Sequence, residues 1–139
     1  MNTYQSAPPL WAEGAVAAGF PSPAEDHGEP ALTLDGRFIR HPAATFIVQA
    51  AGESLRDAGI LSGDYLVVDR SHPPGDGDVV IAVIDGAFTA KRLRLGARRG
   101  AGQGQPMLEA ANPAFAPIPL PEDGEIWGVV TSVHRDLLA

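Results

Sequence analysis

Short segments of alternating apolar and polar side chains, separated by glycine and proline, constrain the fold of this chain most strongly. Such alternation is typical of half-buried strands, and the pair Asp85-Gly86 is favoured in a two-residue hairpin turn. Only residues 55–58 could form one or two helical turns. The pattern therefore predicts a mostly β fold whose antiparallel strands cover residues 45–50, 64–69, 78–84, 87–95, 107–110 and 125–133.

Residues 1–37 have a different character. Five prolines interrupt this stretch, and no helical or alternating apolar pattern persists for more than a few residues. Because proline fixes φ and removes a backbone donor, we expect an extended arm rather than a packed element. The sequence thus predicts an N-terminal arm over residues 1–37 and a β-rich domain over residues 38–139.

Composition argues against several classes of function. The formal net charge of −7 disfavours a protein that coats nucleic acid through its overall charge, although work on nucleic acid through a partner stays open. Cysteine is absent, and we find no zinc-protease, P-loop or dinucleotide-binding motif, so we predict no cofactor and no metal. The longest strongly apolar run, residues 79–84, is too short to span a membrane. Because the N-terminus also lacks the features of a signal peptide, we expect a cytoplasmic protein.

Lys91 is the only lysine, and the other nine basic residues are arginines. Since a guanidinium stays protonated in any protein while a buried ammonium can lose its proton, a side-chain amine that acts as a base must be Lys91. In its predicted strand Lys91 alternates with Thr89, Leu93 and Leu95, which places it on a face that tolerates burial. Desolvation there favours the neutral amine that a general base requires. A simple bias toward arginine would instead leave Lys91 without a role.

Ser54 is the serine with the most suggestive surroundings. Among the six serines, it alone combines a preceding strand, a glycine two positions earlier and a possible helix start just after it. A serine at such a turn exposes its hydroxyl, and the backbone N–H groups of the turn can hold an oxyanion. Ser54 is therefore a candidate nucleophile. A helix N-cap is the alternative role, and a single Gly-x-Ser sequence does not decide between the two.

Two other groups of residues deserve weighing as functional candidates. The four histidines, His27, His41, His72 and His134, could supply a base, but none lies in a motif that pairs it with a serine. Residues 91–99 contain five of the ten basic residues and could contact a phosphate backbone. A solvated strand edge and loop is the simpler interpretation of that segment.

Several blocks of this sequence, in the same order and at the same spacing, resemble the LexA-like self-cleaving serine peptidases, and among them the SOS mutagenesis proteins. Ser54 and Lys91 are 37 positions apart, which fits that family. The likeness extends over nearly the whole chain. The matching blocks are residues 52–55 and 63–69 around the nucleophile, 77–82 and 85–93 around the lysine, and 19–24, 41–45 and 112–117 elsewhere.

The resemblance implies a LexA-like β-clip of twisted antiparallel sheets, in which residues 38–139 form a peptidase and dimerisation domain. It assigns Ser54 as the nucleophile and Lys91 as the general base, and it places self-cleavage between Ala18 and Gly19. Cleavage would be stimulated by a RecA–single-stranded DNA filament. The processed homodimer would then join a UmuC-type DNA polymerase as an accessory subunit for translesion synthesis in the SOS response.

Two residues beside the nucleophile depart from the family pattern. Glu53 stands where aspartate is frequent, and Leu55 stands where methionine is usual. Both changes keep the charge or the apolar bulk, so we expect altered packing of the cleft with the chemistry retained.

A non-catalytic module that only binds a polymerase is the alternative function. A LexA-type repressor fits less well, because the residues before Ala18 are too few for a helix-turn-helix domain. A signal peptidase also uses serine and lysine, but the sequence shows no membrane anchor. We therefore expect neither a direct DNA-binding domain nor membrane association.

Overall fold

The computed structural model describes residues 10–12, 28–30, 33–96 and 105–138. The chain divides into two units, residues 1–40 and residues 41–139. In the first unit, strands β1 (Leu10–Ala12) and β2 (Gly28–Pro30) pair antiparallel, and a short helix α1 (Leu34–Phe38) follows them. The functional division into an arm and a peptidase and dimerisation domain, with its boundary after residue 37, stays a prediction.

Helix α1 is an element that the sequence pattern does not predict. A local contact holds its start, because the side chain of Thr33 accepts a hydrogen bond from the backbone N–H of Gly36 at 3.0 Å. Asp35 lies in the first turn and Arg37 in the last, where each charge is favourable to the helix dipole. A helix of 5 residues is too short to show an apolar periodicity.

The described part of the second unit contains seven strands, which form one antiparallel sheet. The mostly β, LexA-like fold class is thereby confirmed, and each of the six predicted strands is present with ends that differ by at most one residue. The additional strand has 2 residues and contains a proline, so it carries no alternation that could have predicted it. The strands are β3 (Thr45–Gln49), β4 (Tyr65–Asp69), β5 (Val79–Ile84), β6 (Ala87–Arg94), β7 (Met107–Glu109), β8 (Ile118–Pro119) and β9 (Glu125–His134).

The order of the strands in the sheet is β3-β4-β9-β5-β6-β7-β8. Asp85 and Gly86 join β5 to β6 with φ values of 52° and 78°, as the predicted two-residue hairpin requires. Only residues Arg92–Arg94 of β6 pair with strand β7. The first part of β6, up to Lys91, therefore has no described strand on its outer side.

Two apolar clusters lie on the opposite faces of strand β5. Because successive side chains of a strand point to opposite faces, Ile81 belongs to one cluster while Val80 and Ala82 belong to the other. This two-sided burial explains the unbroken apolar run of β5. The first cluster contains Leu55, Ile60, Leu66, Val68 and Ile81, and the second contains Val80, Ala82, Leu93, Leu108 and Val129.

Gly128 of β9 lies directly against the side chain of Val68 in β4, and this packing yields a stability prediction. A Cβ atom at Gly128 would lie 2.6 Å from Cγ1 of Val68, which is itself fully buried. We expect Gly128→Ala to lower the free energy of unfolding by about 1–3 kcal/mol, since the side chains around it must shift. Urea denaturation measures this change.

Gly75→Ala is the matched control. Its Cβ would lie 3.5 Å from the Asp78 carboxylate, an ordinary contact, so we expect little change in stability. Equal stability of the two variants would contradict the packing that we describe around Val68.

Candidate active site

A cleft of about 340 Å³ opens beside the end of strand β3. Its floor is apolar and belongs to the first core cluster, so a bound peptide would meet both backbone groups and buried side chains. The ring of Phe88 at its rim packs edge-on against Trp127, with 5.2 Å between the ring centroids. The cleft is lined by residues 48–52, Ser54 and Leu55, by Ile60, Leu66 and Ile81, and by Phe88, Thr89 and Ala90 of β6.

Ser54 lies in the loop between β3 and β4 and lines this cleft. Gly52 precedes it with a φ of 93°, a conformation that glycine adopts without strain. The 3₁₀ turn Arg56–Ala58 follows, and its N-cap residue is Leu55. The alternative role of Ser54 as a helix N-cap is therefore wrong, and the residue is available for chemistry in the cleft.

The turn at residues 111–115 is bonded directly to the Ser54 loop. The backbone N–H of Ala111 donates to the carbonyl oxygen of Ser54 at 2.7 Å, and that of Asp57 donates to the carbonyl oxygen of Ala111 at 2.7 Å. The buried side chain of Asn112 donates to the carbonyl oxygen of Glu53 at 2.8 Å and accepts from Ala114 N–H at 2.9 Å. Three of these hydrogen bonds thus fix the backbone around the candidate nucleophile, and the fourth holds the turn itself.

Lys91 lies on β6 opposite Val80 of β5 and shares a face with the buried Leu93, as the alternation predicts. The side chain is half-buried, and its Nζ lies 5.5 Å from the centroid of the Phe115 ring. Lys91 itself is not part of the cleft lining, but its neighbours Thr89 and Ala90 are. The structure therefore brings Ser54 and Lys91 to the same turn, one through backbone hydrogen bonds and the other through the Phe115 ring.

An ion pair closes the far end of the Ser54 loop. Asp64, which is 1% exposed, accepts hydrogen bonds from Nε and Nη2 of Arg135 at 2.6 and 2.7 Å and from Leu61 N–H at 2.8 Å. Arg135 also donates to the carbonyl oxygen of Gly59 at 3.0 Å. The hydrogen bond from Arg135, with that from Leu61, lowers the pKa of Asp64 from 3.8 to about 2. Residues 59–64 are thus held against the C-terminal end of β9.

Where described histidines approach serines, they do so outside the cleft that contains Ser54. Nε2 of His134 lies 3.0 Å from the hydroxyl of Ser132, but neither residue lines that cleft. Nδ1 of His41 lies 2.6 Å from Oδ2 of Asp69, and the hydroxyl of Ser71 donates to Oδ1 of the same carboxylate at 2.7 Å. Serine and histidine therefore both bond the aspartate, and the serine is not bonded to the imidazole as a nucleophile activated by histidine would be. These bonds lower the pKa of Asp69 to about 2, that from His41 most strongly.

Two arginines of the basic segment that begins at Lys91 are engaged within the protein. Arg92 donates to the carbonyl oxygen of Gly77 at 2.8 Å, and Arg94 pairs with Glu109 at 2.9 Å. Contacts within the protein therefore explain the positions of these two arginine side chains, and no phosphate ligand is needed to explain them. The remaining basic residues of the segment, Arg98 and Arg99, lie outside the described residues.

Three site features escape prediction from the sequence, and one predicted feature lies outside the structural description. Asn112, Phe115 and Arg135 act through contacts between distant parts of the chain; the only local signal is the Asn-Pro pair at residue 112, which favours a turn. The predicted scissile pair, Ala18 and Gly19, lies outside the described residues.

Neither a membrane span nor a metal cluster is found where the structure describes the chain. No helix there is long and apolar enough to cross a membrane. Nor does any group of three or more histidine, cysteine, aspartate or glutamate side chains in those residues lie close enough together to hold a metal ion.

Comparison with known proteins shows the class to which this fold and site belong. The model of the family described as peptidase S24-like matches residues 9–131. The chain belongs to this peptidase family.

Curated relatives place the chain more narrowly within that family. It is 47% identical to the protein SamA of Salmonella typhimurium over 132 residues, which is 94% of this chain and 88% of the relative. It is 49% identical to the protein ImpA of Escherichia coli over 130 residues, covering 91% of this chain and 83% of the relative. The resemblance to UmuD, the SOS mutagenesis protein, is confirmed by these matches.

A LexA repressor is also among the relatives. The chain is 43% identical to the LexA repressor of Azoarcus sp. over 107 residues, which is 76% of this chain and 48% of the repressor.

The Asp64–Arg135 pair predicts a specific acid dependence of stability. A carboxylate whose pKa is lower in the folded than in the unfolded protein stabilises the fold above the unfolded value, and this stabilisation is lost as the pH falls through the folded value. For Asp64 the loss falls between about pH 4 and pH 2. We expect Asp64→Asn to be less stable than wild type at pH 7 and to lose less stability over that interval.

Urea denaturation at a series of pH values measures both effects. Asp57→Asn, at an exposed position, corrects for the change in net charge. The same loss of stability on acidification in wild type and Asp64→Asn would show that the pair does not hold the loop.

Proposed function

We propose that this protein is a self-cleaving serine endopeptidase, in which Ser54 is the nucleophile, Lys91 is the general base and the bond between Ala18 and Gly19 is cut. Membership of a peptidase family supports a hydrolytic reaction. The carrying observation is the turn at residues 111–115, which bonds the Ser54 backbone and places its Phe115 ring beside the amine of Lys91. No other side-chain amine exists in the sequence.

The reaction proceeds through an acyl-enzyme. Neutral Lys91 takes the proton of the Ser54 hydroxyl as Oγ bonds to the carbonyl carbon of Ala18. The tetrahedral intermediate then breaks the C–N bond to Gly19, whose amine leaves with the proton from Lys91. Water, deprotonated by Lys91, attacks the ester, and the proton returns to Oγ of Ser54. Each proton taken by the amine is given back, so the site is regenerated.

The backbone N–H of Ser54 is the proposed donor to the oxyanion. Within the described residues this N–H makes no hydrogen bond, whereas the N–H of Gly52 is already directed at the Ser62 hydroxyl, 3.2 Å away. A donor that is held in place by the surrounding loop stabilises developing charge without further reorganisation. The hydrogen bonds from the turn at residues 111–115 provide that support.

Two conditions must be met together before cleavage can occur, and this keeps the reaction slow. The arm must occupy the cleft, and Lys91 must be neutral at the same moment. An activator that favours the occupied state raises the rate by increasing its population. By resemblance to the SOS mutagenesis proteins, the activator is a RecA–single-stranded DNA filament.

The product acts as a component of a DNA-damage response. The relatives SamA and ImpA are UmuD-like, and the processed form of this chain, as a homodimer in the cytoplasm, serves as an accessory subunit of a UmuC-type translesion polymerase. The net charge of −7 agrees with a role on DNA through partners rather than by direct binding. Leu55, which departs from the family pattern, fills a core position beside Ser54 with 3% exposure and so keeps the apolar support of the loop.

The dyad predicts the effect of two substitutions. Ser54→Ala removes the nucleophile, and Lys91→Arg replaces the amine by a group that stays charged, so each should reduce self-cleavage by at least about a thousandfold. Mass spectrometry of each protein, incubated with RecA, ATP and single-stranded DNA, measures the fragment that begins at Gly19.

Ser132→Ala is the control for loss of a serine, since its hydroxyl bonds His134 on the same strand. It should cut like the wild type. Cleavage of Lys91→Arg at the wild-type rate would refute the lysine base. A wild-type chain that stays whole while it binds the polymerase would favour the non-catalytic binding module.

A lysine base also predicts the pH dependence of cleavage without an activator. The rate should rise from neutral pH to about pH 10, because a larger fraction of the amine is then neutral. Gel analysis of the purified protein over this range gives the profile. A flat profile would contradict an amine as the base, since no other proposed step gains from deprotonation.

A further inference from the structure

The amine of Lys91 lies over an aromatic ring that the proposed chemistry does not use. Nζ is 5.5 Å from the centroid of Phe115, within the distance at which a cation is attracted to the ring face. Phe115 is 45% exposed, so burial of the ring in a core does not explain its position. Its backbone N–H donates to the carbonyl oxygen of Asn112 at 3.0 Å, which holds the Phe115 backbone in the turn beside Ser54.

The charged groups around Lys91 are engaged elsewhere. On β6, Arg92 bonds the carbonyl oxygen of Gly77, and Arg94 pairs with Glu109 of β7. Strand β5 carries no charge, and Asp78 just before it accepts a hydrogen bond from Gly75 N–H.

The two remaining elements near Lys91 add no partner for its amine. The turn at residues 111–115 contains no charged side chain, and in the Ser54 loop Arg56 pairs with Asp57, while Glu53 is exposed. Among the described residues no carboxylate forms an ion pair with Lys91. The ring of Phe115 is thus the contact that distinguishes the charged from the neutral amine.

A ring face discriminates between the two forms of lysine. Its negative electrostatic potential attracts an ammonium and has little attraction for a neutral amine. The proposed reaction begins from the neutral amine, so each contact that favours the ammonium reduces the fraction of molecules able to react. The Phe115 contact therefore opposes the first step of catalysis.

We propose that Phe115 is a brake on self-cleavage, a positioning residue that holds Lys91 as an ammonium in the resting protein. This inference rests on the proposed function, since it concerns the same amine. The turn that carries the ring is bonded to the Ser54 backbone, so the brake lies beside the candidate nucleophile.

The first test needs no cleavage. Because Lys91 is the only lysine, protein labelled with ¹³C and ¹⁵N lysine gives one side-chain amine signal, and its pH titration can be followed by NMR in the uncleavable Ser54→Ala chain. Adding Phe115→Leu should move the titration midpoint to lower pH by roughly a few tenths of a unit. Phe46→Leu is the matched control, because Phe46 is also 45% exposed but contacts Trp127; it should leave the midpoint in place.

The second test measures the brake in the cleavable chain. At neutral pH, Phe115→Leu should cut itself roughly two- to fivefold faster than wild type, with the same rate at the alkaline limit, and Phe115→Tyr should resemble wild type. Pentafluorophenylalanine at position 115 keeps the shape of the ring but reverses its electrostatic face. It should act like Phe115→Leu, so the test stands even if the leucine variant folds poorly.

The outcomes separate the brake from the peptidase. If wild type cuts but Phe115→Leu and the fluorinated ring leave both the midpoint and the rate unchanged, the brake is refuted and the dyad stands. A slower rate over the whole pH range, with an unmoved midpoint, also refutes it and shows a purely structural role. If wild type never cuts, the proposed function falls and the brake falls with it, whatever the titration shows.

Discussion

The hydrogen bonds between the turn at residues 111–115 and the Ser54 loop are the constraint on which the rest of the site depends. The loop leaves β3, crosses the first core cluster and returns to β4, and it contains no regular element beyond one 3₁₀ turn. The carbonyl oxygens of Leu55 and Arg56 accept hydrogen bonds within the loop, whereas that of Ser54 has its partner outside the loop. Ala111 provides that partner, the buried Asn112 bonds the carbonyl oxygen of Glu53, and the same turn brings Phe115 to the amine of Lys91. The candidate nucleophile Ser54 and the proposed base Lys91 thus both contact one turn, which also carries the Phe115 ring.

Arginine and lysine side chains have different roles in this protein because their chemistry differs. Arginines carry the structural contacts: Arg135 holds Asp64, Arg94 holds Glu109, and Arg70 lies over the Trp127 ring at 4.5 Å. A guanidinium suits these roles because it is always charged and donates in a fixed fork. The single lysine lies on the part of β6 that no described strand covers on its outer side, and the proposed function gives its amine the role of base.

Much of the fold could be predicted from the sequence, because strand alternation and turn chemistry are local properties. The Asp85-Gly86 hairpin and the ends of β5 and β6 follow from a few adjacent residues. The contacts that organise the site are not local: Asn112 reaches a carbonyl 59 positions away, and Arg135 reaches a carboxylate 71 positions away. The alternating pattern that predicts strands carries no information about contacts between such distant residues. The roles of Ser54 and Lys91 were predicted through family resemblance, since each residue alone permitted a simpler role. Phe115 lies in the matching block of residues 112–117, but that match assigned it no role.

A crystal structure of the Lys91→Ala chain tests the central claim most directly, because this variant retains Ser54 and should keep its arm uncut. We predict that residues 15–20 lie in the cleft as an added strand, with the carbonyl carbon of Ala18 facing Oγ of Ser54. The space left by the lysine side chain should adjoin the same hydroxyl and the Phe115 ring. A cleft that excludes the arm, or a Ser54 hydroxyl that points away from the vacated lysine position, would contradict the account.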